Sequence, residues 1–257
     1  MMDRKSFYTR REEFLNELND FILPPYETAD KYEEEIVGEF ENEVEESFFK
    51  EFMDYLPENA SVLDLACGDG RHTLRLSQNA EKVVAVDISP KQLKMAKEKC
   101  KNRSNITFIN ASMFNLSLPR DYFDGIWFSQ GFEYVPPDKR EQLIETLHMM
   151  LKNNGVLYMS VETWMYPEFI NSLKELLRDV KLFFCWRFIR NKPLLWGEFL
   201  YYLSPETAEV RCRGWHYHVH TDKWTIHKLL QKVGFKILRS KLCEGYIYII
   251  CRMRSNE

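Results

Sequence analysis

The sequence predicts an α/β protein whose mostly parallel sheet is closed by an antiparallel hairpin. Along the middle of the chain, short apolar runs typical of strands buried on both faces alternate with helical segments. A glycine-rich turn joins the first run to a helix, and two apolar runs near the end bracket Glu244-Gly245. Strands and helices that alternate at this spacing indicate parallel strands with right-handed crossovers.

Two helices are predicted ahead of the first strand. Apolar residues keep helical spacing over residues 7–21, and a second apolar stripe runs over residues 36–56. Because both helices precede the sheet, we expect residues 1–58 to form a helical cap that can act as a lid. Residues 59–257 would then form the main domain.

The remaining predicted elements follow in chain order. Five buried strands are predicted over residues 61–66, 82–87, 106–109, 123–129 and 156–161. Helices are predicted over 71–77, 90–100 and 136–151, with a turn over 153–155 before the fifth strand. After the fifth strand we expect a helix over 167–177, an irregular stretch over 179–215, a helix capped by Thr221 and ended by Gly234, and a hairpin of 235–242 with 246–253.

Composition and charge exclude several classes of protein. The 257 residues are 45% hydrophobic, which is enough for a sizeable core. The first fourteen residues are charged where a signal peptide needs an apolar stretch, and no window has the apolar length of a membrane span. We therefore expect a cytoplasmic protein without a membrane partner. The six cysteines are scattered without a CxxC pair, which indicates free thiols.

Charge is distributed unevenly along the chain. Residues 1–60 carry 18 acidic and 6 basic side chains, whereas residues 178–256 carry 6 acidic and 15 basic ones. Two interpretations stay open. Either the acidic start packs near the basic end, or the basic third presents a surface for an anionic acceptor such as RNA or a carboxylate.

The segment VLDLACGDGR, residues 62–71, predicts a ligand site. A buried strand leads through Gly68 and Gly70 into a helix, so a ligand can lie against backbone that lacks side-chain bulk. Asp87 ends the next strand, where a carboxylate can accept hydrogen bonds from both hydroxyls of a ribose. Thr73 stands where the nicotinamide-dinucleotide fingerprint has its third glycine, which disfavours a pyrophosphate ligand.

Four segments resemble, in order, the motifs of class I S-adenosylmethionine-dependent methyltransferases of the small-molecule type. They are VLDLACGDGRHTLRL, VVAVDIS, YFDGIWFSQGFEYV and LKNNGVLYMSVE. The upstream ETADKYEEE is similar to the segment that folds over the cofactor in many small-molecule members. The resemblance implies a Rossmann-like, seven-stranded, mostly parallel sheet, an N-terminal helical lid, and an insert after strand five, over residues 163–220, that caps or forms the acceptor pocket. It also implies S-adenosylmethionine as the cofactor.

The same resemblance implies which residues hold the cofactor. Asp64 is expected to order the glycine loop, Asp87 to hold the ribose, and Ser129 to contact the methionine part. The other expected cofactor-binding residues are Tyr32, Ala66, Cys67, Gly68, Asp69, Gly70, Ile88, Ser112 and Met113.

Two positions depart from the family pattern. Ala66 stands where the family usually has glycine, and Ser112 stands where an acid commonly accepts the adenine amino group. Because a hydroxyl accepts that hydrogen bond more weakly than a carboxylate, we expect cofactor binding to persist at reduced affinity.

Candidate residues on the acceptor side follow the fourth and fifth strands. A methyl group on a sulfonium is already activated, so the protein needs a base only when the acceptor must lose a proton. Glu133 and Tyr134 follow the fourth strand and Glu162 ends the fifth. These residues either line the acceptor site or pack within ordinary loops.

Three histidines in HYHVH share one face if the segment is a strand. They are His216, His218 and His220, and three roles stay open for them: a base, for which His218 is the candidate, a zinc site with Cys212, or a hydrogen-bonded cluster. Because no recognised ligand spacing supports Cys212 as a fourth zinc ligand, no metal is expected.

Three functions remain open at this point. The first is methyl transfer to a small-molecule acceptor by in-line displacement, with the aromatic residues of the insert lining the pocket or building a core. The second is an RNA (tRNA) methyltransferase that uses the basic C-terminal third. The third is a cofactor-binding scaffold without turnover.

Overall fold

The computed structural model describes residues 4–18, 43–203 and 214–254. The strands are β1 (Ser61–Leu65), β2 (Lys82–Asp87), β3 (Ile106–Asn110), β4 (Phe123–Phe128), β5 (Leu151–Glu162), β6 (Glu198–Leu203), β7 (Gly214–Val219), β8 (Phe235–Cys243) and β9 (Tyr246–Met253). The helices are α1 (Arg4–Asn16), α2 (Glu43–Asp54), α3 (Arg71–Ser77), α4 (Pro90–Lys99), α5 (Arg140–Met150), α6 (Phe169–Phe184) and α7 (Lys223–Val233).

Within the described residues, seven strands form one sheet in the order β3-β2-β1-β4-β5-β9-β8. The first five pair in parallel, and β9 lies antiparallel between β5 and β8. The predicted fold class is therefore confirmed, including the closing hairpin. Strand order reverses between β1 and β4, and in such sheets the carboxyl ends of these two strands border the ligand crevice.

Alternate residues of the central strands feed cores on opposite faces of the sheet. Leu63 and Leu157 belong to the core packed against α5 and α7. Trp127 and Tyr158 belong to the other core, where their rings stack with centroids 3.6 Å apart beneath Phe48 of α2. Helix α2 is thus a structural part of the sheet's second layer, and the division into a cap and a main domain stays a prediction.

Helix α1 packs on the segment that follows β5. Phe14 of α1 and Leu18, which follows the helix, are buried with Tyr217 of β7. Arg11, which is 3% exposed, forms two hydrogen bonds of 2.7 Å with the buried carboxylate of Glu198 and also binds Asp138. A charge-assisted pair with parallel bonds therefore fixes α1 against β6.

The predicted irregular stretch over 179–215 is wrong in its described part. Helix α6 continues to Phe184, a π-helical turn covers Cys185–Ile189, and β6 pairs antiparallel with β7. The dense aromatic and arginine residues obscured the helical period here. Six exposed side chains of α6 are large and apolar, and its one buried residue is the acid Asp179, which departs from the usual pattern. The six are Phe169, Ile170, Leu173, Leu177, Val180 and Phe184.

Several predicted boundaries need correction. Strand β5 begins at Leu151, so the predicted turn over 153–155 lies inside it, where Asn154 (φ 64°) accompanies a shift in the pairing with β4. Helix α5 begins four residues later than predicted, at Arg140. Asp222 rather than Thr221 caps α7, because its carboxylate accepts the amide N–H of Thr225 at 2.9 Å. The first helix ends at Asn16, and residues 36–42 of the second stripe lie outside the described residues.

We predict that Arg11→Leu lowers the free energy of unfolding by about 3–5 kcal/mol, because it leaves the Glu198 carboxylate buried without its charge partner. Urea unfolding followed by circular dichroism measures this loss. Lys101→Ala, which removes an ion pair on the exposed end of α4, is the control and is expected to change little. Equal effects of the two changes would contradict the importance of the buried pair.

Candidate functional site

The bend between β1 and α3 has three residues in left-handed backbone conformation. They are Ala66 (φ 57°), Gly68 (φ 53°) and Gly70 (φ 85°). A side chain at Gly70 would come within 2.8 Å of Cβ of Ala96 on α4, so glycine is needed there for packing. At Gly68 a side chain would meet nothing closer than Gln92 at 4.0 Å, so space remains beside this residue. Ala66 adopts a left-handed conformation, which costs less free energy for glycine, the residue that is usual at this position in the family.

The carboxylate of Asp87 lies at this bend. It accepts hydrogen bonds from the backbone N–H of Gly68 at 2.9 Å and of Ser89 at 2.8 Å. The side-chain amide of Asn110 donates to the backbone oxygens of Asp87 and Ile88, at 3.0 and 2.8 Å. The ends of β1, β2 and β3 are therefore joined around the predicted ribose-binding acid.

The two other acids near the bend, Asp64 and Asp69, have side-chain partners within the protein. Asp64 is buried and accepts the hydroxyl of Thr73 at 2.6 Å. Burial raises the pKa of Asp64 to about 7, although the Thr73 bond lowers it. The Asp69 carboxylate pairs with Lys99 at 2.8 Å and also accepts the N–H of Arg71 at 3.4 Å. That its backbone lies against the cofactor stays a prediction. Cys67 is buried, and its N–H bonds to Val86.

The residues predicted to contact adenine follow β2 and β3 at the same sheet edge. Ile88 is half-buried, and the N–H of Ala111 donates to the backbone oxygen of Asp87 at 3.1 Å. Ser112 and Met113 are also half-buried, and the Ser112 hydroxyl accepts the N–H of Phe114 at 3.3 Å. The remaining predicted contact, Tyr32, lies outside the described residues.

Glu45 of α2 occupies the end of β4, and sequence reasoning missed it. Its Oε1 accepts the hydroxyls of Ser129 at 2.7 Å and Tyr158 at 3.1 Å, and its Oε2 lies 3.2 Å from Arg71. Burial raises the pKa of Glu45, but His72, Arg71 and Ser129 together bring it down to about 2. An ionised carboxylate thus sits beside Ser129, the residue expected at the methionine end of the cofactor.

Gln92 on α4 is a second residue that sequence reasoning missed. It is 1% exposed, and among the described residues neither atom of its side-chain amide has a hydrogen-bond partner. Its Oε1 is the atom nearest to the open side of Gly68. A buried amide without a partner is costly, so a polar group seated at the bend would relieve that cost.

A second polar group lies beyond β4 and β5, and we term it the acceptor-side cluster: Glu133, Tyr134, Glu162, Asp179, Tyr201, His218 and His220. Glu162 Oε2 lies 2.5 Å from His218 Nδ1. Glu162 Oε1 lies 3.6 Å from His220 Nε2, and His220 Nδ1 lies 2.5 Å from Asp179. The structure therefore brings His218 and His220 together with the acid that ends β5, a contact that the sequence did not predict.

Burial and neighbouring charge separate the protonation states within this cluster. Burial lowers the pKa of His220, but bonds to Asp179 and Glu162 raise it to about 9, so this ring is charged at neutral pH. Burial raises the pKa of Glu162, yet His218 and His220 bring it well below its usual range. For Glu133, burial and the charge of Glu162 raise the pKa to about 8, so its carboxyl is protonated at neutral pH.

Loop contacts place the acceptor-side cluster next to the glycine bend. The N–H of Gln130 donates to the Ser160 hydroxyl of β5 at 2.9 Å, which joins the ends of β4 and β5. A side chain at Gly131 would lie 2.8 Å from Cβ of Ala66, so the chain leading to Glu133 passes directly over the bend. The cofactor and acceptor candidates therefore lie next to each other at the carboxyl ends of the parallel strands.

Comparison with known proteins relates part of this chain to a family. Residues 62–155 match the family model described as a methyltransferase domain. Over these residues the chain is similar to methyltransferase domains, and its fold is that of class I methyltransferases. The comparisons support S-adenosylmethionine as the cofactor. Among the described residues, no group of three or more His, Cys, Asp or Glu side chains could hold a metal ion, and none of the described helices could cross a membrane.

The relatives of the methyltransferase domain differ in acceptor. The chain is 37% identical over 95 residues to a 23S rRNA (uracil-C5)-methyltransferase of Francisella tularensis. This match covers 36% of this chain and 20% of the relative. It is 38% identical over 106 residues to the ubiquinone/menaquinone biosynthesis C-methyltransferase of Proteus mirabilis, covering 38% of this chain and 41% of the relative. The chain thus spans well under half the length of these relatives.

Solved structures share the fold of the methyltransferase domain. A S-adenosylmethionine-dependent methyltransferase of Methanosarcina mazei has a TM-score of 0.64 at 22% identity, covering 79% of this chain and 96% of that one. The N-methyltransferase NodS of Bradyrhizobium japonicum, in complex with S-adenosyl-L-homocysteine, has a TM-score of 0.57 at 15% identity, covering 96% and 99%.

We predict that His220 makes the free energy of unfolding fall as pH rises. Because its folded pKa of about 9 exceeds the ordinary value of 6.5, its contribution is complete below pH 6.5 and is lost as pH rises through 9. The expected difference between wild type and His220→Gln, measured by urea unfolding across this window, is on the order of 3 kcal/mol.

Glu133 and Asp64, whose pKa values are also raised, likewise make the free energy of unfolding fall as pH rises. Because both groups are present in wild type and variant, the difference between the two proteins isolates His220. The control is His148→Gln, because burial lowers the pKa of His148 and its contribution is lost as pH falls. An unchanged pH slope in His220→Gln would show that the pair with Asp179 carries no stabilising charge.

Proposed function

We propose that this chain transfers a methyl group from S-adenosylmethionine to a small-molecule acceptor by in-line displacement. The observation that carries the proposal is the Asp87 carboxylate, held by two backbone amides at a glycine bend with open space beside Gly68. Such an acid at the end of β2 matches the hydrogen-bond donors of a ribose. The cofactor supplies a methyl group on a positively charged sulfur, which needs no further activation.

The residues around the crevice fit the three parts of the cofactor. Asp87 would hold the ribose, and Ile88 with Met113 would border adenine. The ionised Glu45, together with Ser129, fits the ammonium group of the methionine part, because an anion held at the end of β4 offsets a positive charge there. Ser112 would accept the adenine amino group.

The paired charges of the C-terminal third support a small acceptor over RNA. Arg239 bonds Glu51 of α2 at 2.7 Å, and Lys232 bonds Glu141 of α5. The first pair joins the basic end to the acidic start, which is the packing interpretation of the charge asymmetry. Basic side chains that are already paired release fewer phosphate counterions, so they contribute less to RNA binding.

We predict that Asp87→Asn weakens cofactor binding by about 10–100-fold, because charge-assisted bonds to the ribose are lost. Isothermal titration with S-adenosylmethionine and S-adenosylhomocysteine measures the change. Asp124→Asn is the matched control. Asp124 also accepts a backbone N–H, that of Ser61, but it lies at the amino-terminal ends of the strands, away from the bend. No heat from wild type at millimolar cofactor would contradict the proposal.

Methyl transfer into a cell extract tests the class of acceptor. With cofactor labelled on the methyl group, we expect label in a low-molecular-weight product that ribonuclease does not affect. Label lost on ribonuclease treatment would assign an RNA acceptor. Cofactor binding without any labelled product would assign the scaffold function.

A further inference from the structure

The acceptor-side cluster contains an oriented imidazole that the cofactor site does not use. Resting on the proposed function, we propose that His218 accepts, through Nε2, the proton that the acceptor loses during transfer, while Glu162 orients and neutralises the ring. The acceptor class is then a molecule whose nucleophilic oxygen or nitrogen carries a proton.

The contact between Glu162 and His218 defines which ring nitrogen can act. Glu162 ends β5, a central strand, and its Oε2 lies 2.5 Å from His218 Nδ1. Since an ionised carboxylate only accepts hydrogen bonds, Nδ1 must carry the hydrogen, which leaves the lone pair of the neutral ring on Nε2. A carboxylate that fixes the imidazole in this way is the arrangement that makes histidine a directed base.

The surroundings of Nε2 mark a place for a proton donor. The hydroxyl of Tyr201 lies 3.3 Å from Nε2, and the ring of Tyr134 meets the imidazole edge to face at 5.0 Å. His218 keeps 12% of its side chain exposed, whereas its neighbour His220 keeps 3%. A hydroxyl or amine of a planar acceptor that entered between the two tyrosines would meet Nε2 in place of the Tyr201 hydroxyl.

The neighbouring charges keep Glu162 available to His218. His220 is charged and lies between Glu162 and Asp179, so it favours the ionised form of Glu162. Glu133 is protonated at neutral pH and adds no second negative charge. Asp179 lies closer to His220 than Glu162 does. Glu162 Oε2 therefore contacts His218 and is not shared with His220.

The proposed step balances atoms and electrons. The acceptor oxygen or nitrogen forms a bond to the methyl carbon as the carbon–sulfur bond breaks, and that electron pair stays on sulfur as a thioether. The proton from oxygen or nitrogen moves to His218 Nε2, and the resulting imidazolium is neutralised by Glu162 before the proton leaves to solvent. Acceptors that attack without losing a proton, such as thioethers and tertiary amines, would gain nothing from this pair.

The tautomer of His218 tests the inference without turnover. In the enzyme saturated with S-adenosylhomocysteine, long-range ¹H–¹⁵N spectra of labelled histidine report which ring nitrogen carries hydrogen, and His218→Gln identifies the signal. We expect hydrogen on Nδ1 and a lone pair on Nε2. A hydrogen on Nε2 would overturn the proposal.

Chemical rescue tests the same inference with turnover. In the labelled-methyl assay on the low-molecular-weight extract, we expect His218→Ala to lose at least about 100-fold in rate. Added imidazole should restore part of that rate, and cofactor affinity by titration should stay within about 2-fold of wild type. His227→Ala, which removes a ring bonded to Ser240 on the far side of the sheet, is the control and should keep its rate.

The outcomes separate the two proposals. Failure of wild type to bind cofactor would defeat the proposed function itself. Normal binding and transfer with an undiminished rate in His218→Ala would defeat only the proton-accepting role. A rate that His218→Gln keeps, with hydrogen on Nε2 and no rescue of His218→Ala by imidazole, would assign His218 a structural role.

Discussion

Two backbone hydrogen bonds to the Asp87 carboxylate hold the crevice of this protein in shape. The N–H of Ser89, two residues further on, holds the Asp87 carboxylate in place, and the N–H of Gly68 reaches it from the loop after β1. The loops that follow β1 and β2 therefore cannot separate without breaking the Gly68 bond. The left-handed bend at Gly68 and Gly70 makes this approach possible, and the contact of Gly70 with Ala96 anchors it on α4. The cofactor seat and the adjacent acceptor loops depend on that arrangement.

The same edge of the sheet carries acids whose protonation states differ because their surroundings differ. Glu45 is ionised because His72, Arg71 and Ser129 offset its burial. Glu133 is protonated because it is buried beside the charge of Glu162. A positively charged cofactor and a proton-bearing acceptor need different neighbours, and we propose that the anionic Glu45 serves the first and His218 the second.

The sequence predicted the elements whose signals are local. The buried strands β1 and β2, the glycine bend and the Gly234 helix end all follow from short patterns, and helix α3 and strand β2 have the predicted bounds. Glu45, Gln92 and the partners of His218 could not be predicted, because contacts between residues on different elements, such as Glu162 with His218, leave no local pattern. Helix α6 was predicted too short for a different reason. Aromatic and arginine residues obscured its helical period, and many of its exposed residues are apolar while its buried residue is an acid.

A crystal structure of the chain with S-adenosylhomocysteine tests the central claim most directly. The account predicts both ribose hydroxyls within hydrogen-bonding distance of the Asp87 carboxylate, the adenosine lying along the open side of Gly68, and the amino group of the homocysteine near Glu45. A ligand bound elsewhere, or a crevice between the bend and Asp87 that stays closed by protein atoms, would contradict it.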